Sequence, residues 1–171
     1  MPIRLAVLKD KKNLISMVNH VYFSSEKDFW KEGYYRISEE DFKNYMQMKW
    51  LYILEEKQEV LGCVLFKQKK QKTSSFSMLV CHPKHRKKGV GKSLVNYITQ
   101  KALNDKNEIM QLELLSPKNW VHEEKKFLKE WYTKIGYELK KEVDFSEYHP
   151  DHKPFMKCEL IFSLYEKKLI N

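Results

Sequence analysis

Short apolar runs and helically spaced apolar residues alternate along this chain of 171 residues. Short runs rich in aliphatic and aromatic residues are typical of strands. They occupy residues 3–8, 50–54, 60–66, 76–81, 110–114, 137–143 and 155–165. Apolar residues three or four positions apart are typical of helices. They occur over residues 14–22, 42–46, 90–102 and 127–135.

The predicted order of elements is therefore β-α-α-β-β-β-α-β-α-β-β. Helices that interleave with hairpins and single strands predict an α/β (α+β) fold, with a mixed sheet of six to seven strands and helices on both faces. A chain of 171 residues is long enough to bury its own core and usually forms one domain. We therefore expect residues 1–171 to be a single domain.

The segment 76–102 is the most informative part of the chain. A predicted strand is followed by a basic turn that contains Pro83, Gly89 and Gly91, and then by a predicted helix. The cations of this turn are Lys84, Arg86, Lys87, Lys88 and Lys92. Exposed N–H groups and the helix dipole make such a strand–loop–helix connection suited to a phosphorylated ligand. We call residues 82–92 the cationic turn.

The overall composition narrows the class of protein. Lys and Arg number 32 against 23 Asp and Glu, for a net charge of +9, which favours polyanionic partners, although a solvated lysine-rich surface gives the same balance. No apolar run is long enough to span a membrane, and the N-terminal run is too short for a signal peptide. The three cysteines, Cys63, Cys81 and Cys158, are far apart in apolar runs. They predict reduced thiols in a cytoplasmic protein, with neither a disulfide framework nor a metal site.

The cationic turn allows two interpretations as a phosphate loop. Gly91, Lys92 and Ser93 match the end of the Gly-x-x-x-x-Gly-Lys-Ser pattern of nucleoside triphosphate hydrolases. The first glycine of that pattern would fall at position 86, where the chain has Arg86. No apolar strand downstream ends in an aspartate that could hold magnesium. The pattern therefore disfavours nucleotide hydrolysis or phosphoryl transfer.

The second interpretation is the spacing Arg86-x-x-Gly89-x-Gly91, which resembles the acyl-CoA pyrophosphate loop of the GNAT superfamily of N-acetyltransferases. Residues 79–83, LVCHP, resemble the end of the strand that precedes this loop in the family. Residues 131–137, WYTKIGY, resemble the family's later aromatic-Tyr-x-Lys-Leu-Gly-Phe segment. With the order of elements, the resemblance covers nearly the whole chain. Within the superfamily, residues 110–137 are similar to a group of small acetyltransferases whose substrates are uncharacterised.

The resemblance implies acetyl-CoA as co-substrate and assigns residues to its parts. In the family, backbone N–H groups of the loop and helix start hold the pyrophosphate. The matching positions here are Arg86, Lys87, Lys88, Gly89, Val90, Gly91, Lys92 and Ser93. Backbone N–H groups at the end of the preceding strand stabilise the oxyanion, and the matching residues are Leu79, Val80 and Cys81. The pantetheine arm is expected to pair with the same strand edge.

The resemblance also implies catalytic residues. Tyr132 aligns with the family's usual general acid, because a phenol can protonate a departing thiolate; it also fits an apolar helical stripe with Trp131. Some members carry a glutamate on the strand before the loop, but residues 74–78, SSFSM, contain no carboxylate. Glu113 on the next strand is the nearest candidate for the general base, although an outward-facing strand residue would give the same pattern.

Further candidates for the base lie in loops, and a water chain to solvent could replace a single base. These candidates are Glu26, Asp28, His122, His149 and His152. Residues 24–37 and 144–154 are aromatic and charged connections that we interpret as substrate-side loops, although a helix-to-helix connection with its aromatics in the core would give the same pattern at residues 24–37. Their acidic residues favour a cationic acceptor such as a polyamine or lysine. Residues 67–72, KQKKQK, are expected to form a solvated loop.

The function expected from these observations is an acetyl-CoA-dependent N-acetyltransferase that acetylates a primary amine by direct attack on the thioester. The acceptor is expected to be a small-molecule amine or a protein or peptide amine. The alternative is a non-catalytic acyl-CoA-binding or regulatory module, which the missing strand carboxylate would suit. We expect a cytoplasmic monomer or homodimer without membrane attachment and without specific nucleic-acid binding.

Overall fold

The computed structural model describes residues 2–169, which form seven strands and five α-helices. The strands are β1 (Ile3–Leu5), β2 (Leu51–Glu56), β3 (Glu59–Gln68), β4 (Thr73–Cys81), β5 (Ile109–Pro117), β6 (Glu138–Asp144) and β7 (Leu160–Lys168). The helices are α1 (Lys11–Ser25), α2 (Glu39–Gln47), α3 (Val90–Asn104), α4 (Glu123–Lys134) and α5 (Phe145–Tyr148). Within residues 2–169, no helix is both long and apolar enough to cross a membrane.

All seven strands belong to one mixed sheet in the order β1-β2-β3-β4-β5-β7-β6. Each neighbouring pair is antiparallel except β4 and β5, which are parallel. The parallel pairing covers only Thr73–Phe76 against Ile109–Leu112, although both strands continue beyond it. The sheet therefore opens between β4 and β5 at its centre.

The two faces of the sheet carry separate cores. On one face, α3 residues such as Leu94 and Ile98 pack with Phe76 and Leu112, and α4 contributes Tyr132. On the other face, Leu14 and Phe42, from α1 and α2, pack with Leu65, Met78 and Val80. Periodic apolar residues on four helices explain this arrangement, because each helix must bury one stripe against the sheet.

A bulge in β4 lies just past the point where the strands separate. Met78 adopts φ 51°, in the left-handed region that is uncommon for a non-glycine residue. The register with β3 shifts there, since Cys63 is opposite Val80 but Leu65 is opposite Ser77. An extra residue reverses the alternation of side chains. Phe76 consequently belongs to the α3–α4 core, whereas Met78 belongs to the α1–α2 core.

The predicted order of strands and helices is confirmed, with short helical additions. The sequence prediction was wrong in three places. Strand β1 ends at Leu5 rather than at residue 8, and β7 begins at Leu160 rather than at residue 155, because 3-10 turns occupy Leu8–Asp10 and Pro150–Phe155. The charged run 67–72 is not wholly a solvated loop, since β3 continues to Gln68 and Lys67 is half-buried. Its lysine content hid the continuing strand.

Candidate functional site

The N-terminus of α3 presents free backbone donors. Gly89 is its N-cap, with φ 79° and no capping side chain. The first intrahelical bond runs from Ser93 N to Gly89 O at 2.9 Å. The N–H groups of Val90, Gly91 and Lys92 precede it and have no intrahelical acceptor. A Cβ at Gly91 would meet nothing within 4 Å, so there is room for a ligand next to these donors.

The cationic turn adds side-chain charge beside these donors. Lys87, Lys88 and Lys92 are exposed, and none of the three forms an ion pair within residues 2–169. Arg86 lies 3.9 Å from Glu124 of α4, a long contact at the surface. The backbone turns at Lys87, with φ 63°, before it enters the helix. Three free N–H groups and unpaired cations form an arrangement that suits a pyrophosphate.

Two of the predicted loop residues have a role that the sequence did not indicate. The Val90 side chain is buried in the α3–α4 core, so only its backbone is available to a ligand. The Ser93 N–H is used by the helix, which leaves its hydroxyl as the group that can contact a ligand.

Gly62 of β3 packs under this helix start, and a Cβ there would lie 2.6 Å from Val80 O and 2.7 Å from Val90 Cγ1.

The predicted oxyanion residues follow the bulge on the free part of β4. Val80 pairs with Cys63 and Cys81 with Gly62 on β3, while β5 no longer pairs on the other side of β4. Backbone donors that point toward β5 in this part of the strand therefore have no β5 partner. The Cys81 Sγ lies 3.5 Å from His85 O, and partial burial raises the pKa of the Cys81 thiol, which keeps it protonated.

Tyr132 lies on α4 beside the opening in the sheet. It is buried, and its ring packs edge-on against Phe76 at 5.9 Å and Tyr137 at 5.8 Å. Within residues 2–169 the Tyr132 hydroxyl has no hydrogen-bond partner, although the residue lines a cavity. Burial raises the pKa of the Tyr132 hydroxyl well above its usual value. The phenol is therefore protonated at neutral pH and able to donate.

This cavity occupies the opening between the two parallel strands and measures about 360 Å³. Its walls include Phe76–Leu79 of β4, Leu112–Leu115 of β5 and Tyr132 of α4. The connections 24–37 and 144–154 close it with Trp30, Tyr34, Arg36, Phe145, His149 and His152. The expectation that these connections face a common site is consistent with this geometry. We call this space the β4–β5 cavity.

Glu113 is the first residue of β5 after the last position paired with β4. It is half-buried and lines the β4–β5 cavity. Its neighbour two positions along the strand, Leu115, packs with the cluster of Phe29 and Trp30. Glu113 thus faces the substrate connections, whereas Tyr132 approaches the opening from the α4 face. The structure brings both predicted catalytic residues and Leu79 to one cavity.

The other candidate bases are sorted by their contacts. Glu26 is buried, where it accepts hydrogen bonds from Trp30 Nε1 at 3.0 Å and from Lys125 Nζ. His122 caps α4 by accepting from Lys125 N, and Asp28 is exposed and does not line the cavity. These three have structural or surface positions.

His149 and His152 do line the cavity. Burial lowers the pKa of His152, which favours the neutral imidazole. The Nδ1 atom of this residue is 3.5 Å from Tyr34 Oη. The two histidines are therefore the remaining alternatives to Glu113 as a proton acceptor.

The sequence did not point to two charged residues of the cavity, Arg36 and Lys67. Arg36 comes from the connection between α1 and α2 and its guanidinium lies over the Tyr22 ring at 5.4 Å. Lys67 comes from β3 and its ammonium lies over the Trp50 ring at 4.7 Å. Lys67 comes two positions after the buried Leu65 on β3, and residues two apart on a strand lie on the same face. This spacing was a sequence signal for Lys67.

Comparison with known proteins gives a family match. The family model described as "Acetyltransferase (GNAT) domain" matches residues 48–139, a little more than half of the chain. This range contains β2 to α4 and therefore the cationic turn, Glu113 and Tyr132. A search of curated protein sequences gives no match.

Solved structures share the fold at low sequence identity. An N-acetyltransferase from Staphylococcus aureus Mu50 is 14% identical with a TM-score of 0.72, over 99% of this chain and 98% of that one. An aminoglycoside 6'-N-acetyltransferase complexed with coenzyme A is 16% identical with a TM-score of 0.72, over 100% and 98%. The ribosomal-protein-S18-alanine N-acetyltransferase of Escherichia coli is 10% identical with a TM-score of 0.68, over 99% and 94%. At these identities the likeness establishes the fold alone.

Proposed function

Because this chain belongs to the GNAT acetyltransferase family, we propose that it acetylates a primary amine by direct attack of that amine on the thioester of acetyl-CoA. The protein is an acyltransferase with acetyl-CoA as co-substrate. The acceptor and the catalytic residues are the parts of the proposal that go beyond the family. We also propose that residues 1–171 form one acetyltransferase domain, since β1 and β7 belong to the same sheet.

The start of α3 fits the pyrophosphate of acetyl-CoA. The N–H groups of Val90, Gly91 and Lys92 are free, and the exposed side chains of Lys87 and Lys88 add positive charge. We propose that these groups, with Arg86, Gly89 and Ser93, hold the pyrophosphate. Gly91 allows close approach of the backbone, because a ligand there meets no side chain.

The β4–β5 cavity is the proposed place of acyl transfer. Acetyl-CoA supplies the acetyl group already activated as a thioester. Backbone N–H groups of Leu79, Val80 and Cys81 are proposed to stabilise the negative charge that develops on the carbonyl oxygen. Such preorganised donors are typically worth on the order of 10²–10³ in rate.

Tyr132 is proposed to protonate the leaving sulfur. The observation that carries this assignment is a buried hydroxyl without a hydrogen-bond partner among residues 2–169, at a cavity lined by the two diverging strands. Burial raises the pKa of this hydroxyl, which favours its protonated form. Glu113 is proposed to accept the proton of the incoming ammonium, since its carboxylate lines the same cavity from the opposite face. The amine thus becomes a nucleophile only inside the cavity.

Binding of acetyl-CoA and release of free CoA test the proposal separately. Acetyl-CoA should raise the melting temperature, because a ligand that binds only the native state stabilises it. Free CoA should then appear when an acceptor from a broad amine panel is added. No thermal shift at millimolar acetyl-CoA would contradict the proposal. Binding without acetylation of any amine would instead favour a non-catalytic acyl-CoA-binding module.

The fold does not select the acceptor. The neighbours named above acetylate acceptors as different as an aminoglycoside and an alanine of a ribosomal protein. A small-molecule amine and a peptide amine are therefore both compatible with the proposal. The acceptor must be inferred from the walls of the cavity itself.

A further inference from the structure

Two cations on the wall of the β4–β5 cavity, Arg36 and Lys67, are not ion-paired within the part of the chain that the structure describes. Both are half-buried. Each instead lies over an aromatic ring, Arg36 over Tyr22 and Lys67 over Trp50. Ring faces attract cations but leave their positive charge uncompensated. Both groups are thus able to bind an anion inside the cavity.

The other charged side chains of the cavity compensate only one of these two positive charges. Glu26 is bound to Lys125, and both partners are buried. Glu113 is the remaining carboxylate of the lining. With this pair set aside, two cations, Arg36 and Lys67, face one carboxylate. The cavity wall has an excess of positive charge.

Repulsion between the two cations is consistent with this excess. Burial, and after it the neighbouring Arg36, lower the pKa of the Lys67 ammonium, and the opposing effect of Glu113 does not outweigh them. Two like charges in a partly dehydrated cavity raise each other's free energy, and an anion bound between them removes that cost. A wholly cationic ligand would add to the repulsion instead.

We propose that the acceptor is a small amine that also bears a carboxylate, as an amino acid does, and that Arg36 and Lys67 hold this carboxylate. The inference rests on the proposed acetyltransferase function and specifies its substrate class. It replaces the expectation of a polyamine, because Glu26, the acidic residue of residues 24–37 that lines the cavity, is neutralised by Lys125.

The register of the sheet is compatible with one small acceptor whose carboxylate binds Lys67 and whose amine reaches the opening between β4 and β5. Lys67 is opposite Ser75 on β4, and Ser77, at the opening, is two residues further along. Two residues of a strand span roughly 6–7 Å. A lysine side chain can bridge much of that distance. A bound carboxylate at Lys67 therefore leaves the amine of the same small molecule within reach of Leu79 and Glu113, which also line the cavity.

Matched pairs of acceptors test the proposal directly. Free CoA release by the full chain is measured with the proteinogenic amino acids and with the amines that lack only the carboxylate. Leucine is paired with isoamylamine, phenylalanine with phenethylamine and lysine with cadaverine, and spermidine is added as a polycation. We expect the best amino acid to exceed its decarboxylated partner in kcat/KM by roughly tenfold to hundredfold. This is the factor that corresponds to the usual contribution of a hydrogen bond to a charged group.

Substitutions locate the contact. Arg36→Met and Lys67→Met should each raise KM for the amino acid by roughly tenfold and leave kcat/KM for the decarboxylated amine within a factor of two or three. Arg36→Lys keeps the charge and should lose less than Arg36→Met. Lys69→Met is the matched control, because Lys69 is exposed, donates to Gln111 and lies outside the cavity lining.

A second measurement does not depend on turnover. With CoA present, the preferred amino acid should raise the melting temperature, and its decarboxylated partner should not. Preferential acetylation of spermidine or of the decarboxylated amines overturns the inference but leaves the acetyltransferase function intact. Failure of every amino acid to stabilise the CoA-bound protein also overturns it. Failure of acetyl-CoA itself to bind overturns the proposed function instead.

Discussion

Phe76 of β4 lies opposite Leu112 of β5 at the last position where the two parallel strands pair. The residues immediately beyond, Ser77–Leu79 and Glu113–Leu115, line the cavity where we place acyl transfer. The separation coincides with the bulge at Met78, which reverses the faces to which successive side chains of β4 point. The site thus arises from an interruption of the sheet, and the side chains around it come from both faces.

Tyr132→Phe should lower kcat by on the order of 10²-fold or more, since it removes the proposed proton donor. The fold should be unaffected, because the hydroxyl has no hydrogen-bond partner in residues 2–169 and the ring contacts with Phe76 remain. Steady-state kinetics and a thermal melt on the same preparation measure both. An unchanged kcat with the preferred amine would exclude Tyr132 as the general acid.

Tyr137→Phe is the matched control and a separate prediction. The Tyr137 hydroxyl is buried without a hydrogen-bond partner among the described side chains and backbone groups. An unsatisfied buried polar group costs about 1–3 kcal/mol, so its removal should increase the free energy of unfolding by up to that amount. Urea denaturation measures the change, and kcat should stay within twofold. A destabilised Tyr137→Phe would mean that a water satisfies this hydroxyl.

The sequence predicted the parts of the site that are local in the chain. Hydrophobic periodicity indicates the order of elements, and the cationic turn is a contiguous segment whose glycine spacing is recognisable. Tyr132 was identified through its neighbours up to Gly136. Arg36 and Lys67 were not identified, because they come from a loop and a strand that meet only in the folded sheet.

The lysine-rich composition also concealed one residue. All six residues of 67–72 are polar, which favours a solvated loop. Tertiary pairing with β4 extends β3 through Lys67, opposite Ser75, and turns its side chain into the cavity. The bulge at Met78 likewise has no local signal, since methionine carries no preference for positive φ.

Gly62→Ala should weaken acetyl-CoA binding by displacing the start of α3, which packs on Gly62. The added Cβ would lie 2.6 Å from Val80 O and 2.7 Å from Val90 Cγ1, so β4 or the start of α3 must shift. Overpacking of this kind typically costs about 1–3 kcal/mol. A lower melting temperature together with a raised Kd for acetyl-CoA is the expected result, measured by thermal melt and calorimetric titration.

Gly91→Ala separates stability from binding. Its Cβ would meet no protein atom within 4 Å, and alanine is favoured over glycine in a helix by up to about 1 kcal/mol. The variant should melt at the same temperature as the parent or above it, but it should bind acetyl-CoA less tightly, because the added methyl would occupy the space proposed for the pyrophosphate. If Gly62→Ala bound acetyl-CoA as tightly as the parent, the proposed coupling between β3 packing and the cationic turn would be wrong.

Asp10 should make stability depend on pH in the acid range. Burial opposes ionisation of this carboxyl, but bonds from Arg4 and from Val7 N outweigh it and hold the pKa of Asp10 below its usual value. A carboxyl with a lower pKa in the folded state stabilises the fold fully above its unfolded pKa of about 3.9. The contribution is lost as pH falls through the folded pKa.

Thermal melts between pH 2.5 and pH 7 measure this dependence. The melting temperature should decrease as the pH is lowered below about 4. Asp10→Asn should lower the melting temperature at pH 7 and make its decrease at acid pH, the acid limb of the curve, less steep. Asp28→Asn is the control, because Asp28 is exposed and forms no ion pair within residues 2–169. An acid limb of the same steepness in Asp10→Asn would assign the effect to other carboxylates.

The buried pair of Glu26 and Lys125 should be the most sensitive charged contact near the cavity. Glu26 Oε2 accepts from Lys125 Nζ, and Glu26 Oε1 accepts from Trp30 Nε1 at 3.0 Å. Lys125→Met leaves a buried carboxylate without its cation, which typically costs about 3–5 kcal/mol.

The double variant Glu26→Gln, Lys125→Met removes both charges and should recover most of that loss, because the glutamine can still accept from Trp30. Urea denaturation of the two variants, with exposed Lys126→Met as control, measures the difference. Equal destabilisation of the single and double variants would show that lost packing, and not an uncompensated charge, is the cause.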